Sequence, residues 1–170
     1  QRGRYRQFMQ CDIDILGEAS NLAEIELILA TTTTLGRIGF QNFNIRINDR
    51  QILKAMAAYS GFAEADYDQV FIILDKMDKI GTEGVEAELL EAGFAKEKVE
   101  KYLALFQGME TAQDPIAYIT EKLSGVLPDG VKESFQEIMD SVEAVKGDFF
   151  KLVFDPTLVR GHALLYGYGF

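Results

Sequence analysis

The sequence predicts a mixed α/β (α+β) protein in which an all-helical block interrupts a sheet-forming domain. Two stretches, 5–16 and 43–48, alternate apolar and polar residues as β-strands do. From about residue 63 to residue 146 only helical periodicity is found, and residues 149–153 then return to a strand-like composition. A helical block between two sheet-forming segments indicates an insertion into one domain and not two tandem domains. The predicted units are 1–62, 63–148 and 149–170.

The composition is that of a folded domain with an acidic surface. Of the 170 residues 48% are hydrophobic, enough to bury a core, and the formal net charge is -10. A chain this acidic repels nucleic acid unless its basic residues gather at one place. It has no signal-peptide pattern and no long apolar run, and its single cysteine, Cys11, cannot form an internal disulfide. We expect a cytoplasmic protein without a zinc site, whereas carboxylate sites for magnesium remain open.

The first third of the chain is predicted to begin with a strand followed by a helix. The strand is the alternating stretch 5–16, which has one polar face. Asn21 and Glu24 form the pattern of a capping box in front of an apolar run at helical spacing. Gly36 and Gly39 predict the end of this helix.

A second strand and helix follow, and then the helical block. The stretch 43–48 is the strand, and Asp49 is placed to cap a helix that begins near Arg50. Asp155 and Pro156 end the last strand of the chain. Breaks within the helical block are predicted at Gly81, Gly93, Gly108, the Asp114-Pro115 pair and Pro128.

One face of the first predicted strand carries groups that can bind a nucleotide and an amine. Arg4 and Arg6 precede this face, and their guanidinium groups can bind phosphate oxygens. An aromatic ring can stack on a base, and a carboxylate can bind an ammonium group. On spacing alone, an ordinary edge strand with its charges facing water remains the simpler interpretation. The side chains that share the face are Phe8, Gln10, Asp12 and Asp14.

Several stretches, in order, resemble the histidyl-tRNA synthetases, which are class II enzymes. RGRYRQFMQCDIDILG at 2–17 is similar to the latter part of the family's motif 2. AEIE at 23–26, INDRQIL at 47–53 and LDKMDK at 74–79 stand at matching places, although LDKMDK alone is typical of a solvated helix face. LVRG at 158–161 matches the start of a histidine-specific signature. The resemblance implies part of the class II catalytic core, built on an antiparallel sheet, with the helical block as an insertion.

The resemblance also implies roles for five residues. Gln10 and Asp14 match residues that bind histidine, Phe8 matches the ring that stacks on adenine, and Arg4 matches an arginine near the ATP phosphates. Arg160 matches an arginine at the α-phosphate, where a guanidinium stabilises the negative charge that develops as the adenylate forms. Without the resemblance, Arg160 reads as a surface arginine. The implied substrates and partners are histidine, ATP with Mg²⁺ and tRNA(His), and the implied assembly is a homodimer.

A second function for the parent protein stays open under the same resemblance, namely the non-catalytic regulatory subunit of ATP phosphoribosyltransferase. The presence of Gln10, Asp14 and Arg160 together with a long helical insertion favours the synthetase. Because the sequence begins at Gln1 and shows neither motif 1 nor motif 3 of the family, we expect it to be part of a longer protein. We expect these 170 residues alone to be inactive.

The last nine residues depart from the family pattern. Leu164 and Leu165 stand where the family has two tyrosines that contact histidine. A back-translation of residues 162–170 that is shifted by one base restores the family signature. We therefore predict that this tail results from a frameshift in the gene or in its recorded sequence, and that His162 has no catalytic role.

Overall fold

The computed structural model of the chain describes residue 9 and residues 11–159. The mixture of helices and strands confirms the predicted fold class. A single 3-10 turn at Glu64–Asp66 precedes the third helix. The elements described are α1 (Leu22–Arg37), β1 (Phe43–Ile47), α2 (Arg50–Ser60), α3 (Tyr67–Leu74), α4 (Met77–Glu91), α5 (Lys96–Thr111), α6 (Pro115–Lys122), α7 (Val131–Val145) and β2 (Phe150–Phe154).

The strand predicted for 5–16 is wrong over 11–16, which the structure describes as irregular; residues 5–8 and 10 lie outside the described part. Ile13 is 56% exposed and Leu16 is 92% exposed, so the alternation buries no apolar face here. An alternating pattern supplies the two faces of a strand, but a strand also requires a neighbour for its hydrogen bonds. The strands of the described sheet pair only with each other.

Helix α1 begins after Asn21 as predicted, but the predicted capping box is wrong. The Asn21 side chain makes no capping hydrogen bond. Its Nδ2 instead donates to Oε2 of Glu137 at 2.5 Å, and its Oδ1 accepts from the Ser134 hydroxyl at 2.6 Å. Both partners belong to α7, so Asn21 ties the start of α1 to a helix more than a hundred residues later in the chain. A tertiary contact has replaced the local cap.

The two strands form a parallel pair, with Phe43 opposite Phe150 and Ile47 opposite Phe154. The antiparallel pairing implied by the family resemblance is therefore not what joins these two strands. Parallel neighbours cannot be joined by a tight turn and need a crossover connection. Here the connection contains helices α2 to α7, and the last of them packs against both α1 and β2.

Two hydrophobic clusters hold the described chain together. The smaller cluster lies on the sheet and contains Phe150, Leu152 and Val142 of α7. The larger cluster lies among the helices and includes α2, whose Ile52 and Met56 are fully buried. A boundary at residues 62 and 63 divides this larger cluster. We therefore propose that the helical unit begins with α2 and not after residue 62. The rest of the division into 1–62, 63–148 and 149–170 stays a prediction.

The predicted breaks in the helical block fall between helices, or at a kink, except one. Gly81 has a φ of 68° and interrupts the geometry of α4, and Asp114 caps α6 by accepting from the Ala117 amide at 3.0 Å. The break predicted at Gly108 is wrong, because α5 continues through it to Thr111. A Cβ at Gly108 would overlap the Tyr118 side chain of α6. This glycine therefore permits the close approach of two helices and does not end one.

The hydroxyl group of Tyr102 gives a test of the helical core. Tyr102 is fully buried between the rings of Phe62 and Phe106, and its hydroxyl has no hydrogen-bond partner among the described residues. A buried hydroxyl without a partner costs about 1–3 kcal/mol. We predict that Tyr102→Phe leaves the free energy of unfolding at pH 7 unchanged or raises it by about 1 kcal/mol, as urea denaturation can measure.

Burial also raises the pKa of Tyr102, so the effect of the substitution should depend on pH. The unfolded chain ionises this tyrosine above about pH 10, whereas the folded chain keeps it neutral, so the wild-type protein loses stability as the pH rises above that value. Tyr102→Phe should remove this part of the loss. A variant that is less stable than the wild type by 2 kcal/mol or so at pH 7 would show that the hydroxyl has a partner after all.

Candidate active site

Most of the predicted site residues lie outside the part of the chain that the structure describes. Arg4, Phe8, Gln10 and Arg160 are outside it, so their roles stay predictions. Asp14 is described, and it is exposed on an irregular segment and not on a strand face. What the structure does describe is the framework that leads directly into Arg160.

The segment Asp155 to Val159 links the end of β2 to Arg160 and is held by a series of hydrogen bonds. The Asp155 amide donates to the Ile47 carbonyl at 2.9 Å, which extends the strand pairing by one bond. The Leu158 amide donates to the Asp155 carbonyl at 3.1 Å and closes a turn. The side chain of Val159 is 6% exposed and belongs to the large hydrophobic cluster. The chain is therefore fixed up to the residue before Arg160.

Asn48, the residue immediately after β1, holds this segment by its side chain. Its Nδ2 donates to the Leu158 carbonyl at 3.0 Å, and its Oδ1 accepts from the Asp49 amide at 2.9 Å. The next residue has the role predicted for it, because Oδ1 of Asp49 accepts from the Gln51 amide at 2.6 Å and from the Ile52 amide at 3.3 Å, capping α2. Sequence reasoning assigned no contact to Asn48. The available signal was the position of Asn48, a polar amide between the end of a strand and a capping aspartate.

Arg46 connects the sheet to the helical block. Its Nη1 donates to Oδ2 of Asp155 at 2.9 Å and to Oδ2 of Asp78 at 3.1 Å. Asp78 belongs to the LDKMDK stretch, whose pattern predicts a solvated helix face. The side chain of Asp78 is 65% exposed, so that interpretation holds for its solvation but omits the contact. An ion pair this exposed contributes little to stability and mainly fixes orientation.

The Asp155 carboxylate accepts hydrogen bonds from two residues, Thr157 and Arg46. Its Oδ1 accepts from the Thr157 amide at 2.9 Å and from the Thr157 hydroxyl at 2.6 Å, while its Oδ2 faces Arg46. Burial alone acts to raise the pKa of Asp155, but the hydrogen bonds from Thr157 and Arg46 outweigh it and lower the pKa below its ordinary value. The carboxylate is therefore ionised at neutral pH, where it organises the turn that precedes Arg160.

A cleft of about 600 Å³ separates the ends of the strands from the helical block. Arg46, Asp155 and Thr157 line it from the strands and the turn after β2, and Phe106, Met109 and Glu110 line it from α5. The turn before Arg160 therefore borders solvent-accessible space on the side of the helices. Within residues 11–159 no cluster of three or more histidine, cysteine or acidic side chains is arranged to hold a metal ion. No described helix has the length and apolar character needed to cross a membrane.

The fold is that of a class II aminoacyl-tRNA synthetase. A crystal structure of histidyl-tRNA synthetase from Nostoc sp. PCC 7120 matches 85% of this chain with a TM-score of 0.71, and this chain covers 34% of that structure. The two sequences are 19% identical, so this likeness establishes the fold alone.

Sequence comparison defines the family. A family model described as histidyl-tRNA synthetase matches residues 1–170. Histidine--tRNA ligase of Leifsonia xyli subsp. xyli (strain CTCB07) is 45% identical over 95% of this chain, and that of Flavobacterium johnsoniae is 36% identical over 95%. This chain belongs to the histidyl-tRNA synthetase family. It spans 38% and 34% of the lengths of those two relatives.

Replacing Asp155 should destabilise the protein in a pH-dependent way. Because the pKa of Asp155 is lowered in the folded state, its stabilising contribution is present above about pH 4 and is lost as the pH falls through the folded-state pKa. We predict that Asp155→Asn lowers the free energy of unfolding at pH 7 by about 1.5–3 kcal/mol, as expected for hydrogen bonds to a charged group. The difference from the wild type should shrink at acidic pH.

Urea denaturation at pH 7 and at pH 3 measures both effects, and Asp129→Asn is the matched control because Asp129 is exposed. The control should change stability by less than about 0.5 kcal/mol. If Asp155→Asn behaves like the control at both pH values, the carboxylate does not organise the turn.

Proposed function

We propose that this chain is part of a histidine–tRNA ligase, which activates histidine with ATP and transfers it to tRNA(His). One observation carries the proposal. In a chain of this family, the turn before Arg160 is anchored by Asn48, by Asp155 and by the buried Val159. An arginine that stabilises a transition state must be held in place before the reaction, and a rigid connection to the sheet supplies that order.

In the proposed reaction, a carboxylate oxygen of histidine attacks the α-phosphorus of ATP. The bond from this phosphorus to the oxygen bridging the α- and β-phosphates breaks, and pyrophosphate leaves with the bonding electrons. Arg160 stabilises the negative charge that builds on the α-phosphate oxygens. Phe8 and Arg4 bind the adenine and the phosphates, while Gln10 and Asp14 bind histidine. Mg²⁺ enters with ATP, and we assign no described residue to it.

The second interpretation, a regulatory subunit of ATP phosphoribosyltransferase, is not favoured. The relatives at 36–45% identity carry the name histidine--tRNA ligase. A cytoplasmic location and a homodimer belong to the same proposal. Since the chain spans 38% of the length of the Leifsonia relative, the proposed activity is that of the full-length protein, and we expect the 170 residues alone to be inactive.

The distribution of charge bears on the tRNA partner. Residues 63–148 contain 20 Asp and Glu against 8 Lys and Arg, whereas the rest of the chain contains 7 against 9. The acidity of the chain therefore resides entirely in the helical block. Phosphates of RNA are repelled by such a surface, so we propose that tRNA contacts the block only at local groups of lysines and is attracted mainly by the remainder of the protein.

The proposal predicts separable effects of the site residues in the full-length protein. Gln10→Ala and Asp14→Ala should each raise KM for histidine by about 10- to 100-fold and leave KM for ATP nearly unchanged, because each leaves a polar group of histidine unpaired. Arg160→Ala should lower kcat by about 10²- to 10³-fold. Histidine-dependent ATP–pyrophosphate exchange measures all three.

Glu18→Gln is the control, since Glu18 is exposed and the hydrogen bonds described for its carboxylate come from its neighbours Ala19 and Ser20. It should leave all parameters unchanged. Equal increases in KM for histidine and for ATP would argue against the assigned roles. Absence of exchange in the wild-type full-length protein would contradict the function itself.

A further inference from the structure

We infer that Asn48 is a positioning residue for Arg160: its amide holds the Leu158 carbonyl and thereby sets the direction in which the chain enters Arg160. The inference rests on the proposed function, because it assigns Asn48 a part in the same reaction. Asn48 is not one of the five site residues that the resemblance implies. It immediately follows β1, the strand that pairs with β2, and it reaches Leu158 in the segment that follows β2.

The Asn48 amide is itself fixed in orientation. Its oxygen accepts from the Asp49 amide and its nitrogen donates to the Leu158 carbonyl, so the two ends of the group are both engaged. The side chain is half-buried at the end of β1, where the backbone is constrained by the parallel pairing. Because both ends of the amide are hydrogen-bonded, the position of Leu158 relative to the end of β1 can vary little.

The chain between Asn48's contact and Arg160 is short and constrained on both sides. The Leu158 carbonyl is bound by Asn48, and the following side chain, Val159, is buried in the large cluster. The carbonyl and the side chain of adjacent residues fix the peptide plane and the backbone direction immediately before Arg160. A guanidinium at the end of a long side chain depends on that direction, and a displacement of about 1 Å in a catalytic group can cost about 10²-fold in rate.

Asn48 differs from the other residues that hold the turn because it lies outside the segment that follows β2. Asp155 and Thr157 belong to the turn itself and determine its local shape, as their mutual hydrogen bonds show. Asn48 belongs instead to the short connection between β1 and α2. Its side chain thus connects the end of β1 to the residues that precede Arg160. Loss of this contact should free the turn without unfolding it.

The test is a double-mutant cycle in the full-length protein, measured by histidine-dependent ATP–pyrophosphate exchange. We expect Asn48→Ala to lower kcat by about 10- to 100-fold with little change in either KM. In the Arg160→Ala background, Asn48→Ala should cause no further loss of kcat, because the group that it positions is absent. A role in stability alone would give the same fractional loss in both backgrounds.

Two further variants separate positioning from general destabilisation. Asn48→Asp keeps the oxygen that accepts from the Asp49 amide and removes the donor to Leu158, so it should lower kcat as Asn48→Ala does. Asn21→Ala removes side-chain hydrogen bonds to Ser134 and Glu137, far along the chain from the turn, and should lower the melting temperature without changing kcat.

The inference is overturned if Asn48→Ala and Asn48→Asp leave kcat unchanged, if their losses multiply fully with that of Arg160→Ala, or if neither variant folds. These outcomes leave the proposed function intact, because the wild-type protein would still exchange and Arg160→Ala would still be slow. Wild-type protein without exchange would instead remove the proposed function and this inference with it. Arg160→Ala with full kcat would remove the role assigned to Arg160, and this inference, but not the function.

Discussion

The parallel pairing of β1 with β2 is the constraint on which the rest of the described structure depends. Parallel strands end at the same edge of a sheet, so the residues that follow them are brought together. Asn48 follows β1 and Asp155 follows β2, and the hydrogen bonds from Asn48 to Leu158 and from Asp155 to Ile47 join the two exits. The position of the residues that precede Arg160 is therefore a consequence of the parallel direction of the two strands.

The same constraint explains how an acidic helical block is accommodated. A parallel pair requires a crossover connection, and this one is long enough to contain a helical core of its own. Helix α7 completes the crossover and contributes to both clusters, with Val131 and Phe135 among the helices and Val142 on the sheet. Asn21 joins the start of α1 to α7 by two side-chain hydrogen bonds. Sheet and block are thus connected by packing as well as by the chain.

The sequence correctly predicted the elements that are determined by residues close together in the chain. The strand predicted at 43–48 is found at Phe43–Ile47, and the cap by Asp49 is confirmed, because alternation and a capping side chain act within a few residues. The prediction failed where distant residues decide the outcome. Asn21 binds α7 and does not cap α1, and Gly108 makes room for Tyr118 and does not end α5.

The candidate site shows the same division. The family resemblance supplied the chemistry expected of Arg160, but no spacing in the sequence relates Asn48 to Leu158, because that contact exists only once the strands pair. The sequence predicts Asp155 as the end of a strand, and the structure shows that its carboxylate is also the acceptor that organises the following turn. Residues that hold a functional group in place carry weaker sequence signals than the group itself, because their chemistry is an ordinary hydrogen bond.

The most direct test of this account is an NMR measurement of the strand pairing and its exits in the 170-residue chain. Parallel pairing predicts nuclear Overhauser effects between Ile45 and Leu152 and between the Asn48 side-chain amide and Leu158, with slow hydrogen exchange at the Asp155 amide. Antiparallel contacts between the two strands, or an Asp155 amide that exchanges as fast as an unstructured one, would contradict it.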